Sequence, residues 1–125
     1  MKIEYRRIYK YELTRSCKEL TLCQPTYDTK IGRWITLRRG GMIEIGERYS
    51  WDGPSGPARD TKNFMRASLV HDALYQLIQE GKLPRNYRKA ADQTLRKLAR
   101  EDGMSAFRAW YTYRAVRWFG GSHAR

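Results

Sequence analysis

The segment Val70-His71-Asp72-Ala73-Leu74-Tyr75 puts an imidazole, a carboxylate and a phenol within about one helical turn of each other. On a 3.6-residue period Phe64, Ala67, His71, Leu74 and Ile78 share one face, so His71 is expected to point inward. Asp72 is turned about 100° from it and can serve a different partner. Further along, Asp92 lies beside the small residues Ala90 and Ala91, which would let two helices approach closely. If the two helices pack antiparallel across the Gly81-to-Pro84 connection, Asp92 comes level with His71 and can accept a hydrogen bond from its ring. A histidine held by a carboxylate on one nitrogen presents the other as a base, able to take a proton from water or a hydroxyl. That chemistry needs the ring to border a cleft that solvent can reach.

Ahead of this pair, Arg48-Tyr49-Ser50-Trp51-Asp52-Gly53-Pro54-Ser55-Gly56-Pro57 holds too many breakers for an element interior and reads as an ordered loop. Gly53 and Gly56 allow backbone carbonyls to turn toward a common point. Carbonyls of residues 51 to 56, including Trp51, Gly53 and Ser55, together with the carboxylates of Asp72 and Asp52, would suit calcium better than zinc. Such a cation would polarise a carbonyl or phosphoryl oxygen while His71 activates the nucleophile.

The elements that must position these groups change character near residue 60. Before it, Ile8 to Thr14 alternates, Trp34 to Leu37 is rich in strand formers, and Met42 to Ile45 follows Gly40-Gly41, which suggests a hairpin. Leu20 to Cys23 reads as a further short strand, pushed from any central position by Pro25. After residue 60, helices are expected over 61–79, 85–101 and 106–119, with Asp60 or Thr61 and Ser105 as caps and Gly81, Gly103 and Gly120-Gly121 as stops. The expected fold class is α+β, a small antiparallel β-sheet from the N-terminal half packed with three α-helices from the C-terminal half. The 125 residues fit one domain, at about 100–200 residues per domain, with a β-rich part over 1–47, a Gly/Pro loop over 48–60 and a three-helix part over 61–121.

Charge gives an independent signal: 25 Lys and Arg against 13 Asp and Glu leave +12. Dense phosphate is the usual partner of such an excess, on nucleic acid or on an anionic phospholipid membrane surface. The third helix mixes Arg108, Trp110, Arg114, Arg117 and Trp118, a composition suited to a bilayer interface or to stacking on single-stranded bases. It also suits a plain core helix with an Arg-solvated back. No apolar stretch is long enough to cross a membrane or to act as a secretory leader, so the cytoplasm in which the chain is made is the default expectation. Cys17 and Cys23 are too few for a disulfide scaffold and are expected as reduced thiols.

A glycine-rich turn, then H-D-x-x-Y on a helix, then an Asp on the next helix resembles secretory phospholipase A₂, the viral capsid branch most nearly. That resemblance implies His71 as base, Asp72 as calcium ligand with the loop Tyr49 to Gly56, Asp92 as orienter of His71, and Tyr75 as its support. Ser68 and Leu69 stand where the cellular lipases carry a half-cystine. Residues from about 30 to 120 also resemble a small phage and bacterial family of unknown function, with a D-G-x-S-x-P-like loop and H-D-x-L-Y, here Asp52 to Pro57 and His71 to Tyr75. The function implied is a phage-like, calcium-dependent ester hydrolase acting on anionic lipid or an envelope component. The alternative is a non-enzymatic phage accessory or structural protein, in which Asp92 merely satisfies a core histidine, Asp72 pairs with Arg66 or Arg88, and the basic surface meets nucleic acid or a virion component.

Overall fold

A computed structural model describes residues 3, 5–7, 11–51 and 62–120. Seven short strands precede three helices among these residues, which makes the fold α+β. The strands are β1 (Tyr5–Arg7), β2 (Tyr11–Leu13), β3 (Cys17–Leu20), β4 (Thr29–Ile31), β5 (Ile35–Leu37), β6 (Met42–Ile45) and β7 (Ser50–Trp51). They divide into two antiparallel sheets, one ordered β1-β2-β7 and the other β3-β6-β5-β4, where a single sheet was expected.

The β5–β6 hairpin forms as its sequence predicts, with Leu37 opposite Ile43 and Ile35 opposite Ile45. Its inward residues Ile35, Leu37, Ile43 and Ile45 are completely buried. Gly40 and Gly41 take φ of 93° and 112°, and a Cβ on Gly41 would fall 2.7 Å from the Thr21 carbonyl oxygen, so the turn requires glycine. The strand predicted over Leu20 to Cys23 lies earlier, at Cys17–Leu20. Thr21 explains the shift: its hydroxyl bonds the carbonyls of Cys23 and Gly41 and accepts from the Cys23 amide, turning the chain out of the sheet. The pairing of Ile8 to Lys10 lies outside the described residues; Tyr11–Leu13 keeps the alternation, with Tyr11 and Leu13 buried and Glu12 between them half-buried.

The helices are α1 (Lys62–Gln79), α2 (Arg88–Glu101), preceded by a 3-10 turn at Arg85–Tyr87, and α3 (Ala106–Phe119). Ser105 caps α3 by accepting from the Arg108 amide at 3.2 Å. Gly81 and Gly103, at φ of 73° and 99°, stop α1 and α2 as predicted. The proposed caps Asp60 and Thr61 lie outside the described residues. α1 is central: Phe64, Ala67, His71, Leu74 and Ile78 are buried as expected, but so are Leu69, Val70, Ala73 and Leu77 on its other sides. The β1-β2-β7 sheet reaches it through β7, where the Trp51 indole donates to Ser68 Oγ at 3.1 Å, and just before that strand the Tyr49 hydroxyl donates to Gln76 at 3.0 Å. One hydrophobic cluster takes residues from both halves, from Leu13 and Ile43 to Leu77, Leu95 and Met104. Each fully buried leucine there contributes about 1.5–3 kcal/mol.

α1 and α2 run antiparallel, as the pairing of their side chains shows. Arg66 meets Glu101 and Asp102, His71 meets Asp92, and Arg88 meets Tyr75. Arg66 also binds Glu19 of β3, so the expected pairing of Asp72 with Arg66 or Arg88 gives way to these partners. Glu19 is 6% exposed, and its Oε2 has no hydrogen-bond partner among the described residues. Burial raises its pKa above the usual carboxylate range, with Arg66 opposing. A raised folded-state pKa stabilises the fold below the unfolded value and loses that contribution as pH rises through the folded one. Glu19→Gln should therefore gain stability relative to wild type as pH rises from about 4 toward 7, the model-peptide Glu value being about 4.3. Urea unfolding of both proteins across that range checks it, and a pH-independent difference would contradict it. Glu101 has the opposite sign, its carboxyl held low by Lys97 and then by Arg66, but it is common to both proteins and cancels.

Cys17 and Cys23 are free thiols, half-buried and buried. Burial pushes both up to about 12, which keeps them protonated at neutral pH. Among the described residues no helix is long and apolar enough to cross a membrane.

Candidate active site

His71 and Tyr75 lie one turn apart on α1, their rings 4.2 Å between centroids, and both face Asp92 of α2. Close packing of the two helices, allowed by buried Ala73 and Ala91, makes this meeting possible. His71 Nε2 is 2.7 Å from Asp92 Oδ1, and the Tyr75 hydroxyl donates to the same oxygen at 2.5 Å. The other oxygen, Oδ2, accepts from Arg117 Nη1 at 3.0 Å and has Arg88 Nη1 at 3.7 Å. Asp92 is completely buried. Surrounded by donors, its carboxylate selects one tautomer of a neutral His71 ring, in which Nε2 carries the proton and donates it and Nδ1 keeps its lone pair.

The Nδ1 side of the ring faces Asp72, whose Oδ1 is 4.0 Å away. The His71 side chain is 9% exposed and that of Asp72 is 39% exposed, so the two neighbours divide into a sheltered base and a carboxylate that reaches solvent. Burial raises the Tyr75 pKa, and its bond to Asp92 raises it further, so the phenol remains a donor throughout the neutral range. Gly120 closes the Tyr75 side. A Cβ there would fall 2.6 Å from the Tyr75 hydroxyl oxygen, so the end of α3 approaches the phenol as only glycine allows.

Two members of this constellation were not apparent as partners of Asp92 in the sequence. Arg88 precedes Asp92 by one helical turn, a spacing that could have revealed it. It also donates to the carbonyls of Val116 and Arg117, tying α2 to the end of α3. Arg117, expected on the anionic-surface face, instead turns its guanidinium onto Asp92; nothing local in the sequence signals that long-range contact. The rest of that face divides. Trp110, Arg114 and Trp118 are exposed, the indoles at 47% and 76%, together with Phe107 at 73%, while Arg108 is half-buried.

The loop expected to supply metal ligands is only reached at its edge. Trp51 is buried in β7 opposite Tyr11, with its ring bonded to Ser68. Asp52, Gly53 and Ser55 lie outside the described residues. Among the described residues no three His, Cys, Asp or Glu side chains gather as a metal-binding group. Asp72 is half-exposed, and Arg66 and Arg88 lie against other carboxylates, those of Glu19, Glu101 and Asp102 and of Asp92.

Residues 58–116 match the model of a family described as "Protein of unknown function (DUF1353)". The matched stretch is a little under half of the chain and holds His71, Asp72, Tyr75, Arg88 and Asp92. It stops short of Arg117 and begins after the Asp52-to-Pro57 loop. The chain is thus similar to an uncharacterised family across its helical half. No curated protein and no solved structure matches it.

Proposed function

We propose that this protein is a phage-type, phospholipase-like ester hydrolase acting on anionic lipid or a cell-envelope ester. The observation that carries the reading is the pairing of His71 Nε2 with a fully buried, multiply bonded Asp92, which leaves Nδ1 as a base next to a solvent-reaching carboxylate. His71 Nδ1 takes a proton from water as the water oxygen bonds to the ester carbonyl carbon. The resulting imidazolium, stabilised by Asp92, then returns that proton to the departing alkoxide as the carbon–oxygen bond breaks. Asp72, with carbonyls of residues 51–56 and Asp52, is assigned to calcium, which when bound would polarise the ester oxygen. The exposed Trp110, Arg114 and Trp118 of α3 would meet the anionic lipid surface. On this reading the protein would work in the host cytoplasm or in the virion.

A second reading is supported by Arg117 and Arg88: with four side chains from three helices converging on it, Asp92 would serve equally as a clasp in a non-enzymatic basic phage protein. Fatty-acid release from phosphatidylglycerol vesicles decides between them. The hydrolase reading expects release that requires calcium and falls by about 10²–10⁴-fold in His71→Gln, the usual share of a general base. The variant's unfolding midpoint confirms that it is folded. Wild-type protein that releases nothing with calcium present would leave the clasp.

A further inference from the structure

A concave feature lies on the outer side of α2, where it meets α3. Gln93, Arg96, Lys97 and Arg100 from α2 and Tyr113 from α3 line a groove of about 280 Å³. The four α2 side chains fall on one helical face and are exposed, while Tyr113 is half-buried. The Arg96 guanidinium stands over the Tyr113 ring, 5.8 Å from its centroid. Lys97 is steadied by Glu101 at 2.8 Å, and Arg100 by the Met104 carbonyl at 2.6 Å, so two of the cations are held in place at the rim.

We propose that this groove binds single-stranded nucleic acid, with one base stacked on Tyr113 and the flanking phosphates held by Arg96 and Arg100. The chemistry of the walls carries the assignment. Fixed cations at spacings along a groove track a phosphodiester backbone, and a ring recessed among them gives a base its stacking platform. Arg96 can slide from the ring to a phosphate as the base takes its place, keeping the cation against an aromatic or anionic partner throughout. A duplex keeps its bases stacked on one another and offers no free face to a recessed ring. A bilayer takes protruding apolar side chains, and those on α3, Phe107, Trp110 and Trp118, are not among the groove's lining residues. The net charge of +12 favours any polyanion, but it does not by itself choose this groove.

The inference is independent of hydrolysis at His71. Fluorescence anisotropy with a labelled oligothymidylate of about 12 nucleotides, within the site sizes of single-strand binders, tests it on the full chain. Tyr113→Leu should weaken binding about 5- to 150-fold, the range spanned by loss of one stacked base, and Tyr113→Phe should retain it. The double variant Arg96→Ala/Arg100→Ala should flatten the slope of log affinity against log salt by about 1.4, at about 0.7 per phosphate released. Arg38→Ala/Arg39→Ala removes the same charge at the β5–β6 turn and should leave the slope nearly intact. Equal loss in that control would reduce the effect to net charge. Equal affinity for a duplex, or binding to phosphatidylglycerol vesicles with none to the oligonucleotide, would equally overturn the groove as a single-strand site.

Discussion

Arg66→Ala is expected to lower the unfolding free energy by about 3–5 kcal/mol, the usual cost of removing one partner from a buried ion pair. The Arg66 side chain is 5% exposed, and each of its three guanidinium nitrogens donates a hydrogen bond. Nε and Nη2 grip Asp102 through two parallel bonds of 2.9 Å, Nη2 also reaches Glu101 at 3.1 Å, and Nη1 binds Glu19. Three parts of the chain are joined there: the start of α1, the end of α2 and strand β3. Alanine would leave Glu19 buried beside Asp102 without the Arg66 cation, and among the described residues one Glu19 oxygen already lacks a hydrogen-bond partner. Lysine should recover little, because a single ammonium cannot reproduce the fork that holds Asp102 while reaching Glu19. Urea denaturation measures the loss. A change below about 1 kcal/mol, the range of exposed pairs, would mean that the cluster is hydrated and contributes little. The double variant Arg66→Met/Glu19→Gln should be less destabilised than Arg66→Ala, since it removes the stranded charge together with its partner.

How much of this architecture the sequence displayed depends on whether the deciding forces were local. The three helices were legible because glycines stop them, Ser105 caps the third, and α2 repeats its apolar residues on the helical period. The β5–β6 hairpin was legible because two glycines separate two runs of strand formers. The division into two sheets was not, since it depends on where a strand finds its neighbour: β2 pairs with β7, about forty residues away, rather than with β3. β4 is three residues long and carries a lysine, so it owes its existence to the register that β5 imposes. The meeting of His71 with Asp92 was legible from helix phase and a short connection. Arg117 was not. Its Arg-rich, aromatic surroundings look like a solvent face, and only the approach of α3 at Gly120 turns one of those arginines inward. The Arg66 cluster escaped for the same reason, because Glu19 is 47 residues distant in the chain.

Asp92 offers the sharpest test of what its neighbours are for, because its two oxygens face different tasks. Oδ1 holds His71 and Tyr75, whereas Oδ2 holds Arg117 and lies near Arg88. Asp92→Ala removes both and should cost about 3–5 kcal/mol, since it strands buried donors and leaves Arg88 and Arg117 without their anion. Asp92→Asn is the informative change. It keeps the volume but replaces one acceptor oxygen with a donor nitrogen, so His71 or an arginine must face an N–H where it had a lone pair. If the amide nitrogen takes the His71 side, Nε2 becomes the acceptor and Nδ1 the protonated nitrogen, and the base is lost. On the proposed hydrolase reading, hydrolysis per folded molecule then falls by up to about 10⁴-fold, as when an orienting carboxylate is lost from a histidine of this kind. Arg117→Ala is its complement. It relieves only Oδ2, leaves the tautomer in place, and should lower the unfolding midpoint with hydrolysis close to wild type. Vesicle assays run well below each variant's unfolding temperature separate the two effects. If Asp92→Asn loses stability but matches wild type in fatty-acid release, the carboxylate is a clasp for three helices and His71 is not a base it prepares.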